Sequence, residues 1–434
     1  MTGDGDGAPR QDMTGAGAEN GASRRVSLTR LLTLLLPTAL ALYANFQGVQ
    51  LILIPLQVET LDPDRKIVHL ALMTVLCAAT GVFGLMTGGA ASDATRSRWG
   101  RRTPWLVGMA AASALISSAL GLQRSLIALA MLYGALWFTL NCFQGALLAI
   151  TPDRVPEERR SLASWIIGIA GPFGTLFGVN LAAFAPGERG YLGLTIALAA
   201  ATAALTILAP EDPYPSAKAP KREQAAAFHG LRPRAAMLSL QSLGARDYSL
   251  AFALRTTMFV AQFSINNYLL YILQDHIGVA TLPAHSAQIA AGALNALRTT
   301  ATIVAILVAG WLANRTEKRK VFVRTYALAM AAAMLVPALS PTWPGMLVFA
   351  ALGGLAMGAY GAIDLALMSH VLPNKEAAGR DLAILVMAGA VAQFLAPVIG
   401  GGFIRFLGYG WLFVFAALAT LGVGATTLFL RAVR

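Results

Sequence analysis

Gly89-Ala-Ala-Ser-Asp93-Ala-Thr-Arg96-Ser-Arg98-Trp-Gly100-Arg101-Arg102 is a basic loop that closes a long apolar run. A related loop, Gly310-Trp-Leu-Ala-Asn314-Arg315-Thr-Glu317-Lys318-Arg319-Lys320, closes another. Gly89 and Gly310 are 221 residues apart, and so are Asp93 and Asn314. A second pair shares the offset: Pro152 of Pro152-Asp-Arg-Val-Pro-Glu-Glu-Arg-Arg160 and Pro373 of Pro373-Asn-Lys-Glu-Ala-Ala-Gly-Arg380 are also 221 apart. Basic composition makes any two such loops look alike, but it does not align their glycines and prolines. Two independent loops on one offset predict a duplicated unit.

Between these loops the chain is apolar. Hydrophobic residues are 56% of the 434 and charged residues only 12%, with a mean hydropathy of +0.62. A soluble chain carries about a quarter charged residues, so this is a membrane composition. A spanning helix needs about 20 apolar residues, because it must satisfy its own backbone hydrogen bonds across the hydrocarbon. Candidate spans cover 31–58, 67–91, 104–122, 125–150, 161–184 and 190–209, then 248–273, 284–313, 321–339, 344–371, 382–404 and 408–430. The expected fold is therefore an all-α membrane protein with twelve transmembrane helices in two pseudo-symmetric six-helix bundles, 28–209 and 247–434. Residues 210–246, with Pro213, Pro215, Pro220, Pro233 and a cluster of Lys and Arg, read as a linker between them. Residues 1–27 are rich in Gly, Asp, Arg and Ala and lack an apolar core, which predicts a disordered tail rather than a signal peptide.

Placing both termini in the cytoplasm puts Arg96, Arg98, Arg101, Arg102, Arg154, Arg159, Arg160, the linker, Arg315, Lys318, Arg319, Lys320, Lys375 and Arg380 inside. Arg65, Lys66, Arg124, Arg189 and Arg405 remain outside, an asymmetry that follows the positive-inside rule. The expected location is the cell (inner) membrane. The net charge of +12 is explained by these clusters; nucleic-acid binding would need a continuous basic face and is not expected. Cys77 and Cys142 lie in apolar segments without metal-ligand spacing and read as packing residues.

Gly89-x-x-x-Asp93 followed by Gly100-Arg101-Arg102, between the second and third of twelve spans, resembles the signature loop of the major facilitator superfamily. The resemblance covers nearly the whole chain after the tail and implies a transporter of two rocking bundles. In it Gly89 would let two helices pack closely, and Asp93 would cap the next helix or pair with an Arg, latching the cytoplasmic side. Gly89, Asp93, Arg96, Gly100, Arg101 and Arg102 thus form a gating motif. Gly310, Asn314 and Arg315 are its counterpart, with a weaker latch because Asn replaces the acid. The run from Asp93 to Trp105 also resembles the glycoside–pentoside–hexuronide:cation symporters and the sucrose:proton symporter-like branch beside them. So do Ile363-Asp364-Leu-Ala-Leu, Val371-Leu-Pro373, Ala378-Gly-Arg-Asp-Leu382 and Tyr268-Leu-Leu-Tyr-Ile-Leu-Gln-Asp275. Sodium-coupled members carry two carboxylates on span two; the corresponding turns here hold Gly81 and Leu85, which points to protons as the coupling ion, or to none.

Ionisable groups inside a bilayer are costly and mark pathways or coupling sites. Arg255, Arg298 and Asp364 stand inside spans, Arg298 roughly 20 Å from either end at 1.5 Å per residue. Arg298 suits an anionic or polyhydroxyl solute, a counter-charge, or a structural ion pair. Burial favours a neutral carboxyl and an approaching guanidinium favours a charged one, so Asp364 is the first candidate for proton coupling, with a fixed salt bridge as the alternative. Arg255 stands where it can snorkel. His69 and His370 are weaker titrating candidates near span ends. Tyr43, Asn45, Gln47 and Gln50 on span one, Trp137, Asn141 and Gln144 on span four, and Gln262, Asn266, Asn267, Tyr268 and Tyr271 on span seven offer amides and rings. Such groups suit sugar hydroxyls, and equally bind membrane helices to one another. The resemblance implies that spans one, four and seven line the cavity.

Gly168-Ile-Ala-Gly171-Pro172-Phe-Gly174 and Ala396-Pro397-Val-Ile-Gly400-Gly401-Gly402 suit close packing and kinks; the second also resembles an element of drug:proton antiporters. With no catalytic arrangement, metal cluster or nucleotide-binding loop, neither an enzyme, a cofactor nor direct ATP drive is expected. The leading expectation is a monomeric proton-coupled symporter of a sugar, glycoside or similar small polar metabolite in the lipid bilayer. The rivals are a proton-antiport exporter of a drug-like molecule and a non-transporting receptor or scaffold.

Overall fold

The computed structural model describes residues 27–212, 246–313, 319–370 and 378–426, with side chains except at 309–313, 319–324, 361–370, 378–383 and 386. Among these residues the chain is helical, without strands, and forms twelve long rods. The first bundle comprises α1 (Leu28–Leu61), α2 (Lys66–Ala94), α3 (Thr103–Gly121), α4 (Leu126–Arg154), α5 (Arg160–Phe184) and α6 (Glu188–Leu208). The second comprises α7 (Arg246–Asn267, continued by Leu269–Tyr271 and Ile272–Gly278), α8 (Ala287–Ala313), α9 (Arg319–Leu339), α10 (Trp343–His370), α11 (Ala378–Leu407) and α12 (Tyr409–Thr426). Ten of them are long and apolar enough among their described residues to cross a membrane, and α9 adds the shorter apolar stretch Thr325–Leu339. Large apolar side chains such as Leu72, Phe83, Leu115, Ile127, Ile196 and Leu328 point outward, as a lipid-facing surface requires.

The helix pairing carries the duplication. In the first bundle α1 packs on α5 and α6, α2 on α4, and α3 on α4 and α6. In the second, α7 packs on α11 and α12, α8 on α10, and α9 on α10 and α12. The bundles meet through α2 against α11 and α5 against α8, contacts that a pseudo-twofold axis exchanges. The register agrees at residue level: a Cβ on Gly81 would touch Trp137, and one on Gly358 would touch Thr302. Each member of the second pair lies 221 positions after its counterpart.

Glycines set the closest approaches. A Cβ on Gly88 would stand 2.1 Å from the Cys142 carbonyl oxygen, and one on Gly145 would stand 2.6 Å from that of Leu85, which locks α2 onto α4. Gly178 meets Ala44 in the same way between α5 and α1. Gly89 does not do this: its missing side chain points into open space, and its neighbour Gly88 makes the contact expected of it. Gly168 and Gly171 are likewise open, whereas Gly174 packs on Leu40 and Tyr43. Gly408, at φ +91°, turns α11 into α12 within one residue, its N–H reaching back to the carbonyls of Phe403 and Ile404.

Two helices depart from regular α geometry. α1 passes through a π-helical turn at Val49–Leu53. α7, expected as one unbroken span, breaks at Tyr268 and continues as a π-helical segment, Ile272–Gly278. Such segments often stand at functional sites, and both lie in the part of each helix that faces the other bundle.

Candidate functional site

The polar residues fall into a middle layer and two ends. One end carries the loops around Arg96–Arg102 and Glu157–Arg159, and is called here the basic-loop end; the other is the far end.

In the middle layer, Tyr43, Phe46, Trp137 and Tyr133 form an aromatic chain across α1 and α4, with Phe46 and Trp137 ring centroids 5.0 Å apart and those of Tyr133 and Trp137 5.1 Å apart. Gln144 Nε2 lies 3.5 Å from the Tyr43 hydroxyl. A cavity of about 180 Å³ opens beside this chain, lined by Cys77, Gly81, Trp137 and Asn141 from the first bundle and Ala390 and Gln393 from the second. Gln393 had no sequence signal beyond being an amide in an apolar run. Asn45 is not on the cavity: it is buried against α6 and donates to the carbonyls of Ala41 and Leu194, at 2.9 and 2.8 Å. It is one of the amides that bind helices together. Gln47 and Gln262 are half-buried.

Across from the aromatic chain, Arg298 of α8 donates through Nη1 to Asn266 Oδ1 at 2.7 Å and through Nη2 to Asn295 Oδ1 at 3.2 Å. Asn295 had escaped notice in the sequence, three residues before Arg298 and therefore on its helix face. Arg255 lies apart from this group, its guanidinium 5.1 Å from the Phe259 ring. Ser264 and Tyr268 donate to the carbonyls of Ala396 and Pro397 at 3.0 and 2.7 Å. Gly400 and Gly401 face these two side chains, so the glycine-rich stretch of α11 seats α7. Position 364 lies within α10, but the Asp364 side chain is outside the described residues, as are those of Gly310, Asn314, Arg315 and His370.

The far end joins the bundles. Gln50 of α1 donates to Asn267 Oδ1 of α7 at 3.1 Å, and the Tyr271 hydroxyl donates to the Pro55 carbonyl at 2.8 Å. Tyr271 is thus fully buried in this closure rather than on the cavity. Beyond it Lys66 bridges Glu59 of its own bundle, at 2.7 Å, and Asp275 of the other, at 2.9 Å. Gln274 donates to Glu59 at 2.8 Å and Tyr409 to Asp275 at 2.6 Å, while the Lys66 ammonium stands 4.8 Å from the Tyr271 ring centre. Nothing in the sequence singled out Glu59 or Tyr409; Lys66 was read only as an outside-loop charge, and Gln274 and Asp275 only as the end of the family-like run from Tyr268. His69 pairs with Asp62 at 3.0 Å within the first bundle. A larger groove of about 820 Å³, lined by Gln57, Arg124, Glu188 and Tyr191, opens at this end but lies mainly inside the first bundle.

The basic-loop end holds a buried guanidinium. Arg102, 3% exposed, pairs with Asp93 and with Asp153 (2.8 Å), and donates to Ser92 Oγ at 2.5 Å. Arg101 adds a second pair to Asp93 at 3.0 Å. Asp93 therefore ties the loop to α4 through Arg102, while the cap of α3 comes from elsewhere. Glu211 accepts from the backbone N–H groups of Arg102 and Thr103, at 2.8 and 3.1 Å, where the helix dipole favours a carboxylate. Gly100, at φ +89°, leaves the room that this carboxylate fills; a Cβ there would stand 2.3 Å from it. Arg96 is exposed. The second loop is braced by Arg154, which donates to the carbonyls of Ala209 and Pro210.

The chain matches the sequence profile of the Major Facilitator Superfamily over residues 35–293 and 253–434. Among curated proteins none matches it. Among solved structures it is similar to a nucleoside transporter, at 12% identity over 92% of this chain and 100% of that one, with a TM-score of 0.69. It is similar to a D-xylose-proton symporter at 15% identity over 94% and 98%, TM-score 0.65. A peptide transporter in complex with sulfate is similar at 14% identity over 93% and 96%, TM-score 0.67. At these identities the likeness is one of fold.

Proposed function

Because this chain belongs to the Major Facilitator Superfamily, we propose that it is a secondary active transporter working by alternating access, a proton-coupled symporter of a sugar, glycoside or similar small polar metabolite. The observation that carries this reading is the closure of the two bundles at the far end, immediately beyond a middle layer of amides and aromatic rings. A path closed at one end is one of the two states that alternating access requires. It is held by side-chain bonds that a rocking motion can break: Gln50 to Asn267, Tyr271 to Pro55, Gln274 to Glu59 and Lys66 to Asp275.

The basic-loop end is assigned to the cytoplasm of the cell (inner) membrane, with both termini there, from the Lys and Arg asymmetry of the loops. One chain supplies both bundles, so a monomer is sufficient. Asp364 is the proposed proton carrier, with Arg298 and Arg255, the other ionisable groups the sequence places inside spans, as candidate counter-charges. Its place on α10, four residues beyond the apolar span Trp343–Tyr360, supports this role.

The test is uptake into proteoliposomes of a panel of labelled sugars, glycosides, sugar acids and other small polar solutes, under an imposed proton gradient. Gradient-driven accumulation of a panel member, collapsed by a protonophore and lost in Asp364→Asn with counterflow retained, is the expected result. Efflux-dependent resistance in cells without uptake of any panel member would replace symport by export. No flux in either direction would remove transport altogether.

A further inference from the structure

The middle layer has more hydrogen-bond donors than acceptors around Arg298. A guanidinium has N–H donors only, and two of those of Arg298 are engaged, by Asn266 Oδ1 and Asn295 Oδ1. Both acceptors are neutral. Among the described residues no carboxylate lies within ion-pair distance of Arg298. Asn295 turns its own amide N–H toward the Ala291 carbonyl at 3.2 Å.

The neighbouring residue shows the same imbalance independently. Asn267 is 6% exposed and accepts the Gln50 amide through Oδ1, while its Nδ2 is buried and has no acceptor among the described residues. A buried donor left unpaired keeps its desolvation cost, and a half-buried cation held only by neutral groups is incompletely compensated. A neutral polyol would bring hydroxyl donors as well as acceptors and would leave part of the imbalance in place. An oxyanion brings acceptors alone, and its geometry matches the guanidinium fork.

We infer that Arg298, held by Asn266, with Asn267 next in sequence on α7, anchors an anionic group of the transported solute, so that the solute is a small polar metabolite bearing a carboxylate or phosphate. This rests on the transporter reading above and narrows its substrate class. The anchor also stands beside the bundle interface: the Asn267 side chain that offers a free N–H holds the Gln50 bond across it. An anion drawing on that amide bears directly on whether the far end stays closed.

The test uses the full chain in detergent, with phenylglyoxal as an arginine reagent and peptide mass spectrometry to read Arg298, and Arg255 as the internal comparison. The probes are glucuronate, glucose 6-phosphate and glucose, each at the same concentration. Slowing of Arg298 modification at least fivefold by glucuronate or glucose 6-phosphate, with glucose inert and Arg255 unaffected, is the expected result. Protection by one acid alone assigns the group as carboxylate or phosphate. Equal modification in all three conditions, or protection by glucose as strong as by the acids, overturns the anchor. Uptake by proteoliposomes separates this failure from failure of transport. Neutral solutes carried equally well by wild type and Arg298→Gln would leave a transporter without an anion anchor. An acidic solute carried by the wild type, at least tenfold slower in Arg298→Gln and partly restored in Arg298→Lys, supports both.

Discussion

Replacing Lys66 by Met should open the far end. Lys66 binds Glu59 within its own bundle and Asp275 in the other, and only the second bond is lost when the bundles part. The side chains are 13% exposed for Lys66 and 35% for Asp275, so the crossing pair belongs nearer to the surface class, worth about 0.2–1 kcal/mol. Its removal has a second effect. Glu59 and Asp275 converge on the same ammonium, and without it two carboxylates face each other across the interface, adding repulsion of similar size. Together the loss is about 1–2 kcal/mol, a factor of about 5–30 in the ratio of closed to open forms. Spin labels at Asp64 and Ala280, both exposed at the far end, report that ratio in a Cys77→Ala, Cys142→Ala background as a distance distribution. The expected change is growth of a longer-distance population in Lys66→Met, partly reversed by adding Glu59→Gln, which relieves the repulsion. An unchanged distribution in Lys66→Met, or a further increase on adding Glu59→Gln, would refute the reasoning.

Three further outcomes follow from the packing and the basic-loop end. Arg102→Ala leaves Asp93 and Asp153 facing each other, both still in reach of solvent, and should cost about 1–2 kcal/mol rather than the larger penalty of a stranded buried charge; thermal unfolding in detergent reads this, and Arg102→Lys should recover part of it. Glu211→Ala removes the carboxylate cap of α3 and should cost about 0.5–2 kcal/mol, seen as faster amide exchange confined to residues 102–105. Gly88→Ala forces a Cβ into the Cys142 carbonyl and should destabilise by about 1–3 kcal/mol, whereas Gly89→Ala, one position on, meets open space and should be neutral or slightly stabilising.

The fold was legible because hydropathy sets the spans and the loops keep their glycines and prolines in register over 221 residues. The offset reappears in the packing as Gly81 on Trp137 and Thr302 on Gly358. What the sequence hid is helix rotation. Asn45 and Asn141 look alike as amides in apolar helices, yet Asn45 turns to the Leu194 carbonyl and Asn141 to the cavity. The far-end bridge was hidden for a different reason: Lys66 and Asp275 are 209 positions apart and each is an ordinary residue for a helix end. Glu211 caps a helix that starts 108 positions earlier, a contact with no local pattern. Arg298 was visible as a charge inside a span, but the neutrality of its two partners emerged only from the geometry.

Bundles that rock as bodies about the middle layer must move at both ends together, and paired distances at the two ends measure this. A second label pair at Glu158 and Arg246, exposed on the first and second bundles at the basic-loop end, is measured beside the Asp64–Ala280 pair in wild type and Lys66→Met. Reciprocal change is expected: as the far-end distance lengthens in Lys66→Met, the basic-loop distance shortens by a matching fraction of the population. Lengthening at the far end with the basic-loop distance unchanged would show local fraying rather than alternation, and would contradict it.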